Sequence, residues 1–155
     1  MADRSGAGDE VRVVHVFDAP PDLVFAAWTD PDQVARWWAP PGFQIPHESV
    51  TIEPRIGGRF DFTMVSADGS ARFPYRAEIA ELVASELLVL RAEPIPGAGI
   101  PQTVTRVTLQ AEGERTRMTL TSGPYDDAVR PNARAGWIAA VAGLDDLLAE
   151  PAAER

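Results

Sequence analysis

His15 and His47 are the two side chains of this sequence whose unperturbed titration falls near neutral pH, and they are weighed first for acid–base chemistry. His15 lies inside VRVVHVF, where it reads either as a strand residue with a satisfied hydrogen bond or as a catalytic group. His47 stands in PHES beside Glu48, as a loop or strand-start residue or as a general base. The two are far apart in sequence and lack metal-pair spacing, and no H-E-x-x-H occurs. Cysteine is absent, which removes disulfides, thiolate nucleophiles and cysteine-held metals together. No serine has a G-x-S-x-G context, and without lysine there is no phosphate-binding loop of the Walker kind. No catalytic constellation, metal site or cofactor is therefore expected. Two further polar groups can reach an interior. Tyr75 shares a strand face with Phe73 and Ile79, so its ring should point inward with a hydroxyl in need of a partner. Arg91, at the end of LLVLR, faces either the wet side of a strand or a cavity mouth, where it would anchor a carboxylate or phenolate.

The elements that must carry these residues follow from the spacing of apolar side chains. VRVVHVF has strand composition. Pro20 and Pro21 suit a helix's first turn, after which Val24, Ala27 and Trp28 share a face. Asp30 can cap a second helix with Pro31 at its first position. On that helix Val34, Trp37 and Trp38 fall at i, i+3 and i+4, and APPG ends it. Both tryptophans can pack the helix pair onto a sheet, or one of them, Trp38, can form part of a cavity rim.

Strand candidates follow. ESVTIEP is one; GGRFDFTMV puts Phe60, Phe62 and Met64 on one face; RFPYRAEIAEL aligns Phe73, Tyr75, Ala77 and Ile79. Asp68-Gly69 is a hairpin signal between them, and Pro74 suggests an edge or a bulge. ELLVLRAEP is a further strand, PIPGAGIPQ a loop, and TVTRVTLQA with RTRMTLTS a hairpin about Gly113. The last element is a long helix with Trp137, Val141, Leu144 and Leu148 along one stripe, and Gly136, Ala140 and Gly143 along a second. Glycine inside a helix costs roughly 0.5–1 kcal/mol relative to alanine, so close packing or room for a ligand should compensate.

This order predicts an α+β chain: a curved antiparallel sheet of about seven strands, gripped by one long helix and plugged by two short ones. Its 155 residues suit one domain over residues 11–150, with tails over 1–10 and 151–155. The polar N-terminus has no apolar signal region and no run is long enough for a membrane span. A net charge of −9 disfavours nucleic acid and anionic membranes as partners. A cytoplasmic monomer or weak dimer is the expectation.

The blocks FDAPPDLVFAAWTDPDQVARWWAPPGF, GGRFDF, TRMTLT and GWIAAVAGLDDLL resemble the family related to the activator of heat-shock protein 90 ATPase, in the START-like or Bet v 1-like (SRPBCC) superfamily. The resemblance runs from about Val11 to Ala149. It implies a helix-grip fold around a hydrophobic cavity, in a superfamily of lipid, polyketide and hormone binders, cyclases and self-resistance proteins. The co-chaperone that names the family carries an additional N-terminal domain, and only a polar stretch precedes Val11 here, so direct activation of the chaperone's ATPase is not expected. The expected function is binding of a hydrophobic, ring-bearing small molecule. Trp38, Phe60, Phe62, Met64, Phe73, Tyr75, Arg91, Trp137 and Val141 are the candidate cavity residues. One rival is a cyclase- or hydrolase-like enzyme using Tyr75, His47 or Arg91, which requires those groups to converge. Another is a stress-linked interaction module that contacts a chaperone.

Overall fold

The alternating segments form strands and the 3.6-residue patterns form helices, in the order expected. The structure, a computed structural model, describes residues 10–150; the expected tails therefore lie outside the described residues, apart from Glu10. β1 (Val11–Phe17) leads into α1 (Pro21–Thr29) and α2 (Pro31–Trp37). β2 (Phe43–Gln44), β3 (Thr51–Ile52), β4 (Arg59–Ser66), β5 (Arg72–Val83), β6 (Leu87–Ala92), β7 (Thr103–Glu112) and β8 (Arg115–Gly123) follow, and α3 (Arg130–Leu148) closes the chain. The strands pair antiparallel in the order β1-β8-β7-β6-β5-β4-β2, with β3 also on β4. This is the curled half-barrel sheet of a helix-grip fold, with α3 across its inner face.

The short helices are fixed by their first residues. Asp30 caps α2 by accepting from the Asp32 backbone N–H at 3.1 Å, with Pro31 in the first turn where its missing N–H costs nothing. The Trp37 indole N–H donates to the Ala27 carbonyl at 2.8 Å and ties α2 to α1. Trp28 is completely buried, its ring 4.7 Å from Trp37 and 5.3 Å from Trp38. Its indole N–H has no partner, an unfavourable term that burial of so large a ring offsets.

One strand expectation needs correction, and a second resolves to one of its two readings. The first two residues of ESVTIEP, Glu48 and Ser49, belong to a 3-10 turn over His47–Ser49, and only Thr51–Ile52 pairs as strand. The Ser49 hydroxyl explains the turn, since it donates to the Pro46 carbonyl and accepts from the Thr63 N–H. Of the two readings of Pro74 the edge holds and the bulge does not: it lies within β5 opposite Thr63, and the register irregularity falls between Ile79 and Glu81. Proline is tolerated at that point because pairing with β6 reaches only to Ala77, which leaves Pro74 without a strand partner on that side.

Candidate functional site

Between the inner face of the sheet and the first half of α3 lies a partly open cavity of about 380 Å³. Alternation along the strands brings Met64 of β4, Phe73 and Tyr75 of β5, Ala92 of β6, and Thr103 and Thr105 of β7 to its wall. Pro40 and Phe43, just past α2, form one side, and Ile95 and Ile100 form another. Ala133, Gly136, Trp137 and Ala140 form its helical side. A Cβ built on Gly136 would meet nothing within 4 Å, so this glycine borders open space. Gly143 is different: its Cβ would stand 3.1 Å from the Trp37 carbonyl, where α3 and α2 approach closely.

Of the nine candidate residues, Trp38, Met64, Phe73, Tyr75 and Trp137 line this space. Trp38 joins rim and core, with the rings of Phe60, Phe62, Tyr75 and Trp137 5.1 to 5.5 Å from its own. Phe60 and Phe62 are buried but do not reach the cavity, because Trp38 and Tyr75 lie over them; Phe62 stacks on Tyr75 at 4.9 Å. Val141 is also buried away from it, one turn beyond Trp137 in the stretch of α3 that meets α2 through Gly143. Arg91 is on the wet face. Its neighbours Leu90 and Ala92 point inward, so its side chain points out, paired with cross-strand Glu78 at 3.2 Å.

The groups considered for acid–base work do not converge. His47 pairs with the exposed Asp32 carboxylate at the start of α2. His15 faces Asp145 of α3 at 3.5 Å, with its ring against Phe17. Neither histidine lines the cavity, and neither does Arg91; Tyr75 does.

The polar groups of the cavity are mostly neutral hydroxyls. Thr105 Oγ1 and Ser122 Oγ are 2.9 Å apart, and Ser122 Oγ lies 2.9 Å from Tyr125 Oη, which also accepts from the Trp137 indole N–H at 3.4 Å. Tyr75 Oη has no hydrogen bond. Burial pushes its pKa well above the ordinary phenol value and nearby Tyr125 adds to this; the Thr105 hydroxyl opposes the shift from close by without meeting hydrogen-bond geometry. The carboxylate at the cavity, Glu93, is exposed and lies 3.7 Å from Arg59. Among the described residues no three potential metal ligands cluster.

Sequence reasoning missed Thr103, Thr105 and Tyr125 in the cavity wall and Ser122 buried behind the last two. The signal available was TVTRVTLQ, whose alternation sets Thr103 and Thr105 on one face with the buried Val107 and Leu109. It also read PIPGAGIPQ only as a loop, although Ile95 and Ile100 bridge to each other there and close a side of the cavity.

Residues 18–149 match the family described as activator of Hsp90 ATPase homolog 1-like protein. The chain belongs to this family. Solved structures agree in fold. A protein of Chromobacterium violaceum is 23% identical with a TM-score of 0.83, the match covering 93% of this chain and 99% of that one. A protein of Arthrobacter aurescens is 26% identical with a TM-score of 0.77, over 94% and 89% of the two chains. An AHSA1-like protein of Aeromonas hydrophila is 22% identical with a TM-score of 0.74, over 88% and 90%. No curated protein matches. Family and fold support, in general terms, a ligand-binding domain of the Bet v 1-like kind. No helix among the described residues is long and apolar enough to cross a membrane.

Proposed function

We propose that this activator of Hsp90 ATPase homolog 1-like family member binds a hydrophobic, ring-bearing small molecule between its sheet and α3. The observation that carries the reading is the cavity of about 380 Å³ walled by Trp38, Phe73, Tyr75 and Trp137, a size and lining typical of small-molecule sites. Aromatic walls offer rigid apolar contact at low entropic cost. The open space beside Gly136 supports the same reading, since a helix interior gives up stability at glycine and here nothing packs into the room it leaves. The enzyme rival needed Tyr75, His47 or Arg91 to converge on one point, whereas Tyr75 lines the cavity, Arg91 pairs with Glu78 on the wet face and His47 stands exposed beside Asp32.

Trp38 and Trp137 report on occupancy, so titration of intrinsic fluorescence against a panel of polycyclic compounds tests the proposal. Saturable quenching with a rise in Tm is the expected result. No response from any compound at high micromolar concentration contradicts it.

A further inference from the structure

The inner end of the cavity holds more hydroxyl protons than the protein uses. Thr105, Ser122 and Tyr125 carry three hydroxyl protons, and the two contacts that join them use two. Tyr75 Oη, on a residue 7% exposed, is bonded to nothing. Thr103 makes no side-chain hydrogen bond among the described residues, and its hydroxyl is open to the cavity it lines rather than sealed in the core. A buried hydroxyl without a partner, as at Tyr75, is rare in native proteins and unfavourable. No arginine or histidine lines the space, so a buried anion would lose its hydration without gaining a counter-charge. A pure hydrocarbon would leave the donors unmatched.

We propose that the ligand is a neutral ring system carrying a hydrogen-bond-accepting oxygen, such as a ketone carbonyl, and that the hydroxyls of Tyr75 and Thr103 are the specificity-determining groups that meet it. The inference rests on the ligand-binding reading above. The register makes the pair possible. Ala77, Ala92 and Thr103 form one inward row across β5, β6 and β7, and its small members leave room beside Tyr75, two residues from Ala77.

Fluorene, 9-fluorenone and 9-fluorenone-2-carboxylate test the idea as probes of nearly one shape. The protein should bind fluorenone roughly three- to tenfold more tightly than fluorene, the yield of one net hydrogen bond. The carboxylate should bind more weakly than fluorenone. In Tyr75→Phe and Thr103→Val the ratio of the two neutral affinities should fall toward one. Equal binding of fluorene and fluorenone by the unaltered protein overturns this inference while leaving the proposed function standing. So does tighter binding of the carboxylate. A preference retained in full by both variants overturns the assignment to these two hydroxyls. Binding of no probe overturns the inference and the proposed function together. The probe comparison on the unaltered protein needs no variant to fold.

Discussion

Tyr75 and Tyr125 reach the same cavity, yet their hydroxyls stand in opposite positions. Tyr125 Oη is bonded to Ser122 and to the Trp137 indole, whereas Tyr75 Oη is bonded to nothing. Removing an unsatisfied buried hydroxyl relieves a penalty of about 1–3 kcal/mol, while removing a bonded one creates it in its partners. Tyr75→Phe should therefore match or exceed the unaltered protein in chemical denaturation without ligand, and Tyr125→Phe should fall by about 1–2 kcal/mol. A Tyr75→Phe less stable than Tyr125→Phe would show that Tyr75 has a partner in solution. The raised Tyr75 pKa gives a second prediction. Below about pH 10, the ordinary phenol value, folded and unfolded chains both hold this proton and nothing is lost. Above it the unfolded chain releases the proton and the folded chain keeps it, so stability falls as pH rises. Denaturation at pH 9 and 11 should show a smaller alkaline loss in Tyr75→Phe; an identical loss contradicts the burial. Tyr75, Phe73 and Met64 were legible because alternation assigns each a face. Thr103 and Thr105 were not, since threonine suits either face of a strand and only pairing shows what it meets. Arg91 could be placed only by register, and its exposed pair with Glu78 contributes little to stability. Arg91→Ala should shift stability by less than about 1 kcal/mol and leave fluorenone affinity as it is; a large loss of affinity would return Arg91 to the site.

At the scale of elements, α3 uses its two glycines for different ends. Gly143→Ala places a methyl 3.1 Å from the Trp37 carbonyl, on a backbone that cannot swing aside as a flexible side chain would. It should cost about 1–3 kcal/mol of stability. Gly136→Ala meets open space, so it should add about 0.5–1 kcal/mol of helix stability while narrowing the cavity and weakening ring-shaped probes. Paired melting and binding measurements check both, and equal gains from the two would mean α3 is rotated relative to the sheet. The stripe of small residues was visible in the sequence, but its two roles were not. They depend on where α2 starts and ends: the Asp30 cap fixes its start, and the prolines after Trp38 stop it there. Segments shaped by side-chain bonds, such as the turn His47–Ser49, gave no periodic signal to read.

The whole molecule segregates its chemistry by face. The outer face of the sheet carries cross-strand ion pairs, Arg91 with Glu78 and Arg106 with Glu81 among them, and the inner face carries aromatics and hydroxyls. This division was readable from the sequence because one-sided alternation is the signature of a sheet with one wet face. The cavity's extent was not, because it depends on how far Trp38 and the Ile95–Ile100 loop close over the sheet. The central claim is that a ligand enters this inner space. Two-dimensional NMR of the isotope-labelled protein during a fluorenone titration tests it most directly. The account predicts saturable shifts at the Trp38 and Trp137 indoles and at the Gly136 amide, with the exposed β1 residues Val14 and Val16 unmoved. Shifts confined to β1 and the outer face, or none at saturating probe, would contradict it.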